Sequence, residues 1–292
     1  MALIAPSGPV PAERLQPAVS AVAAMGLEPV VYRSCRSSHG YFAGDDELRA
    51  EDLNLAFADP AIDGIFCARG GYGAQRLMDR IDFDLISANP KVFCGYSDVT
   101  ALHIAFNQRC GFVTFHTPMP ATELYSGADG YTMRSCRGVL EGDFYGKLEN
   151  PADMPLRALA PGRAGGVLTG GNLSLVSSSL GTPYEIDTKG KILFLEDVDE
   201  EPYRIDRMLT QLKMAGKLRD CAGFLLGYWT NCGAEHPERS LTLAQVFEEL
   251  IVPEGRPVLA GLACGHSLPS MSLPMGAVAE MDACACSVAI LI

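Results

Sequence analysis

Val92-Phe93-Cys94-Gly95-Tyr96-Ser97-Asp98-Val99-Thr100-Ala101-Leu102 is the stretch from which the rest of the chain can be ordered. Three apolar residues read as a buried strand. Gly-Tyr-Ser reads as a turn, and Leu102, Ile104 and Phe106 then recur at helical spacing. The same unit stands upstream, where an apolar run at 62–68 leads into Arg69-Gly70-Gly71-Tyr72-Gly73 and a helix bearing Leu77 and Met78. Earlier still come a strand at 3–5, a helix at 12–25 stopped by Gly26, a strand at Pro29-Val30-Val31-Tyr32 and a helix at 45–57. Downstream, residues 112–115 give a fifth strand. Five strands separated by helices predict right-handed crossovers and an α/β doubly wound parallel sheet.

The pattern changes after Gly146. Residues 150–163 hold three prolines and no clear period, which predicts a linker over 150–164 between an N-terminal domain at 1–149 and a second α/β domain at 165–292. The second domain reads as strands at 192–195, 224–226, 258–259 and 287–291 around a helix at 203–215, in a less regular order. No internal repeat is found.

The 292 residues are 48% hydrophobic and 20% charged, enough apolar material for a large core and nothing like a disordered chain. Lys+Arg is 23 against Asp+Glu 35, a net charge of -12. A surface of that sign repels phosphate backbones, which argues against nucleic acid and anionic membranes as partners. There is no signal-peptide pattern at the start and no apolar run near the ~20 residues that span a bilayer, so a cytoplasmic protein is expected. The ten cysteines include no C-x-x-C, and most have apolar neighbours. They read as reduced, buried packing residues rather than disulfides or a zinc site. Cys284 and Cys286, two apart on an expected strand, are read as packing on one face.

Ser97 sits where a strand gives way to a helix, so a tight turn would hold its hydroxyl at the carboxyl edge of the sheet, facing the helix's unpaired N–H groups. Those groups could stabilise an oxyanion. The plainer alternative is a helix cap, with Asp98 adding charge at the first turn, and Val99 stands where the usual Gly-x-Ser-x-Gly elbow has its second glycine. On this motif alone the cap is favoured. The Gly70-Gly71 loop could supply a second oxyanion donor, cradle a phosphate, or be a plain turn. A nucleophilic serine needs a base, and five histidines are available. His103 reads as surface or packing of its helix, and His39 and His236 as solvated. His116 and His266 both follow apolar strands, and position does not choose between them. Among Glu196, Asp197, Asp199, Glu200 and Glu201, Glu196 ends a strand, and the rest read as a solvated acidic loop.

Taken in order, Ala-Arg-Gly-Gly-Tyr-Gly, Gly-Tyr-Ser-Asp-Val-Thr-Ala-Leu, Leu-Thr-Gly-Gly-Asn-Leu-Ser, Leu-Phe-Leu-Glu-Asp, Pro-Tyr-Arg-Ile-Asp-Arg and Gly-His-Ser resemble the LD-carboxypeptidase family of serine peptidases over nearly the whole chain. The resemblance implies Ser97 as nucleophile, Glu196 and His266 as the other triad members, and the N–H groups of Gly71 and Asp98 as oxyanion hole. It also implies a flavodoxin-like N-terminal half, a C-terminal half with a barrel-like sheet, an active site in the cleft between the two domains, and a homodimer. No cofactor or metal is implied. The implied substrate is a small peptide, a muropeptide tetrapeptide losing its terminal D-alanine during peptidoglycan recycling. Arg69 is a candidate to grip the terminal carboxylate, or equally a structural ion pair. A related branch hydrolyses microcin C-type peptidyl nucleotides and tends to carry a longer segment ahead of the third acid. The compact run from Gly181 to Glu196 favours the muropeptide branch. The remaining alternatives are a non-catalytic nucleotide-binding module on the glycine loop and a general esterase on a similar sheet, the latter weakened by the missing second elbow glycine.

Overall fold

A computed structural model describes residues 1–291. The chain divides into two compact units, residues 1–143 with 272–274, and residues 144–271 with 275–292.

In the first unit, β1 (Ala2–Ile4), α1 (Ala12–Ala23), β2 (Val30–Val31), α2 (Asp46–Ala58), β3 (Gly64–Cys67), α3 (Phe83–Ala88), β4 (Val92–Gly95), α4 (Thr100–Arg109), β5 (Thr114–His116) and α5 (Gly130–Glu141) follow in turn. β2, β1, β3, β4 and β5 pair in parallel, in that spatial order. Every residue of β1 and β3 is buried, as a strand covered on both faces requires. Beneath the sheet Phe57, Phe93 and Phe106 pack ring on ring at 5.0–5.9 Å, and all three are wholly buried. The carboxylates of Asp45, Asp82 and Asp129 accept from first-turn N–H groups of α2, α3 and α5 and fix where those helices begin.

The second unit holds β6 (Gly146–Lys147), β7 (Arg157–Ala160), β8 (Arg163–Asn172), α6 (Leu173–Ser178), β9 (Ile192–Val198), α7 (Pro202–Met214), α8 (Lys217–Asp220), β10 (Gly223–Thr230), α9 (Leu243–Leu250) and β11 (Val258–Ala260), and ends with β13 (Val278–Asp282) and β14 (Ser287–Ile290). Between β11 and β13 the chain makes β12 (Leu273–Met275), the edge strand beside β5 in the first sheet. The second sheet runs β6-β14-β13-β8-β9-β10-β11-β7 and curls into a half-barrel around a parallel centre, β8 to β11. The fold is mixed α/β throughout.

Three expectations need correction. The stretch expected as a linker over 150–164 contains β7, paired antiparallel with β11, and the start of β8. The expected helix bearing Leu77 and Met78 is a 3-10 segment, Ala74–Arg80. Cys284 and Cys286 lie in the β13–β14 hairpin turn rather than on a strand. Cys284 is exposed, and Cys286 sits at φ 48, so they are not packing residues of one sheet face.

Candidate active site

In the first unit β4 ends at Gly95, Tyr96 is still extended, and Ser97 turns into the left-handed region at φ 64. That conformation costs a residue other than glycine about 1–3 kcal/mol, so the surroundings must enforce it. Ser97 is not the helix cap. The N-cap position of α4 is Val99, and no side chain caps the helix. Asp98 does not serve the first turn of the helix either. It is wholly buried, and its Oδ2 accepts from the backbone N–H of Ala74 at 2.7 Å. Burial pushes its carboxyl above the usual range, opposed by the neighbouring Ser7 hydroxyl, the amides of Ala74 and Gly73, and Arg49.

The glycine loop at 69–73 lies directly against Ser97. A Cβ on Gly70 would stand 2.8 Å from the Cβ of Ser97 and 3.0 Å from its Oγ, so only glycine fits. Gly71, at φ 115, packs on Gly8, whose N–H donates to the Gly70 carbonyl at 3.0 Å. Arg69 donates from Nη1 to the Pro9 carbonyl at 3.0 Å, which commits part of its fork to the loop.

His103 is wholly internal. A carbonyl can only accept, so Nε2–H donates to Gly95 O at 2.8 Å, leaving Nδ1 to accept from the Thr114 hydroxyl at 2.8 Å. Burial brings its pKa down to about 4, so at neutral pH it is an uncharged strut beneath the turn. His116 packs against the Tyr96 ring at 5.2 Å, while His39 and His236 are exposed.

In the second unit Glu196 lies at the carboxyl end of β9, opposite Asn172 in register, and is wholly buried. Its Oε2 accepts from His266 Nδ1 at 2.6 Å. Burial raises the Glu196 carboxyl, and the bond and charge of His266 pull it back down. Gly265, at φ 128, makes the approach possible, because a Cβ there would stand 2.7 Å from Glu196 Oε2. With Nδ1–H given to a carboxylate, the basic lone pair of the imidazole resides on Nε2, the arrangement of a general base. The Ser267 hydroxyl pairs with Thr230 Oγ1 at 2.7 Å beside it.

Asp197 departs from the expected acidic loop. It is buried, and it accepts from Asn172 Nδ2 at 2.8 Å, Ser174 N at 2.9 Å and Ser174 Oγ at 2.8 Å, tying the start of α6 to β9. Arg49 was not singled out from sequence. It is wholly buried on α2, with Nη1 donating to the carbonyls of Pro6 and Gly73 (3.0 Å to the latter) and Nη2 to Asp46. An arginine among the acidic residues of α2 gives no sign of this. Among the described residues no cluster of three or more His, Cys, Asp or Glu could hold a metal ion.

Two family descriptions match the chain, the LD-carboxypeptidase N-terminal domain over residues 1–117 and the LD-carboxypeptidase C-terminal domain over 165–281. A probable murein peptide carboxypeptidase of Bacillus subtilis is 46% identical over 283 residues, covering 96% of this chain and 88% of that protein. The chain belongs to the LD-carboxypeptidase family. A murein tetrapeptide carboxypeptidase of Pseudomonas aeruginosa is 30% identical, over 97% of this chain and 92% of that one. Among solved structures, the muramoyltetrapeptide carboxypeptidase of Oxalobacter formigenes superposes with a TM-score of 0.88 at 29% identity, covering 99% and 98% of the two chains. The microcin C7 self-immunity protein MccF superposes at 0.90 with 22% identity over 100% and 95%, a likeness of fold alone. This LD-carboxypeptidase family member carries its strained serine in the region of the N-terminal domain match, and its Glu196–His266 pair in that of the C-terminal one.

Proposed function

We propose that this protein is a serine carboxypeptidase that releases the terminal D-alanine from muropeptide tetrapeptides, with Ser97, His266 and Glu196 as its triad. The observation that carries the reading is the buried Glu196 bonded to His266 Nδ1 at 2.6 Å, which makes Nε2 the proton acceptor. In this reading His266 Nε2 takes the Ser97 proton as Oγ forms a bond to the scissile carbonyl carbon. The N–H groups of Gly71 and Asp98 hold the resulting oxyanion. Collapse of the intermediate breaks the C–N bond, and His266 gives its proton to the departing D-alanine amine. Water then attacks the acyl-serine, losing its proton to His266, which returns it to Ser97 Oγ.

The names carried by the B. subtilis and P. aeruginosa relatives support the substrate class, and the compact run from Gly181 to Glu196 favours it over a microcin-type conjugate. Arg69 is the proposed partner of the substrate's terminal carboxylate, through the part of its fork not given to Pro9. Cytoplasmic residence and a homodimer are proposed on the family resemblance alone; no helix among the described residues is long and apolar enough to cross a membrane. The discriminating test offers the purified protein a muropeptide tetrapeptide and, separately, a peptidyl sulfamoyl nucleoside. Cleavage of the first alone is expected. Cleavage of the second alone overturns the substrate assignment.

A further inference from the structure

Two peptide groups of the glycine loop are gripped on either side of the proposed oxyanion donor. A trans peptide points its C=O and N–H in opposite directions, so fixing one end aims the other. The Gly70–Gly71 peptide offers its carbonyl to the N–H of Gly8 at 3.0 Å, and its other end is the Gly71 N–H. The Gly73–Ala74 peptide is held at both ends. Arg49 Nη1 donates to its carbonyl at 3.0 Å, and its N–H donates to Asp98 Oδ2 at 2.7 Å. Arg49 Nη1 also donates to the Pro6 carbonyl, so one guanidinium joins the loop that carries Gly8 to the loop that carries Gly71. Asp98 is the next residue after Ser97 and supplies the other proposed donor from its own N–H.

Both charged side chains are wholly buried. Burying such groups costs free energy unless they are compensated; Arg49 is paired with Asp46 as well as with the Pro6 and Gly73 carbonyls, and Asp98 with the Ala74 N–H. A loop with glycines at φ 115 and 135 has wide freedom in isolation. Oxyanion donors must nonetheless be held in place before charge develops.

We infer that the side chains of Asp98 and Arg49 are positioning residues, which clamp the Gly73–Ala74 peptide and the Pro6 carbonyl so that the Gly71 N–H is aimed at the oxyanion formed at Ser97. The inference rests on the proposed roles of Ser97 and Gly71 and goes beyond them, because neither side chain touches substrate.

The test uses the whole protein with a tetrapeptide substrate and a peptide boronic acid, which bonds to the serine oxygen and places a boron-bound oxygen in the oxyanion position. Asp98→Ala is expected to lower kcat by about 100-fold, the scale of losing one oxyanion donor, with KM changed less than about 3-fold. Its boronate Ki rises in proportion, while tetrapeptide Kd in a Ser97→Ala background is unchanged by the second substitution. Asp98→Asn keeps an acceptor for Ala74 N–H and recovers at least about 10-fold of the loss. It also carries the test if the alanine variant does not fold. Arg49→Lys, which reaches fewer carbonyls, follows the same pattern. Parallel losses in boronate and ground-state binding, or no loss in any of the three variants, overturn the inference while Ser97-dependent hydrolysis stands. Hydrolysis that survives Ser97→Ala overturns the underlying assignment instead.

Discussion

Acid is expected to destabilise this protein through one buried histidine. His103 has its pKa brought down from 6.5 to about 4 by burial, and its only charged form would have to surrender the bond that Nδ1 accepts from Thr114. Between those two pH values the unfolded chain binds a proton that the folded chain refuses. Stability contributed by this site is therefore fully present above pH 6.5, falls as pH drops, and is lost below about 4. The difference corresponds to about 3 kcal/mol, a sizeable share of the 5–15 kcal/mol typical of a domain (roughly). Urea unfolding followed by circular dichroism at pH 7, 5.5 and 4 measures it, comparing wild type with His103→Gln. The glutamine amide can still donate to the Gly95 carbonyl but does not titrate. The variant is expected to be less stable at pH 7, and the gap to wild type should shrink by about 3 kcal/mol on going to pH 4. A gap that stays constant with pH would refute the reasoning, since it would mean His103 titrates alike in both states.

Gly265→Ala places a methyl 2.7 Å from Glu196 Oε2 at φ 128, so it is expected to part Glu196 from His266 and lower kcat by about 100-fold. Steady-state kinetics alongside circular dichroism checks that the loss is not unfolding. Gly70→Ala puts its Cβ 2.8 Å from the Cβ of Ser97; fluorophosphonate labelling of Ser97 should slow by a similar factor, about 100-fold, while the thermal transition persists. The thiols give an independent check on the core. Maleimide at neutral pH should modify Cys284 first and Cys110 and Cys286 more slowly, leaving seven buried cysteines untouched until denaturant is added, as intact mass would record. Cys35, pushed up to about 12 by burial, belongs to that silent group.

The first unit is legible in sequence because its parallel strands are covered on both faces, and so appear as short apolar runs that end at glycine or serine turns. The second unit is less so. β7 is four residues, Arg157–Ala160, among prolines, and its partner β11 lies about a hundred residues away in the chain, so no local pattern announces it. β12 contains Pro274, which argues against a strand in general but is tolerated at a sheet edge, where this strand lies. The proposed triad members Ser97, Glu196 and His266 each stand at the end of an apolar run, and family motifs single them out. The side-chain contacts of the buried charged residues around the glycine loop leave no trace in the sequence, for a physical reason. Arg49 and Asp98 are charged, which predicts exposure, and their burial depends on carbonyls and amides contributed by distant turns. The burial of Asp197 is hidden in the same way, since its partners, Asn172 and Ser174, come from a neighbouring strand and helix.

The account turns on Ser97 as the nucleophile of a D-alanine-releasing peptidase. Release of D-alanine from a purified muropeptide tetrapeptide, followed for wild type and for Ser97→Ala, tests it most directly. The account predicts stoichiometric D-alanine from wild type and none above background from a Ser97→Ala protein with an unchanged circular dichroism spectrum. Release that persists in the folded variant would contradict it.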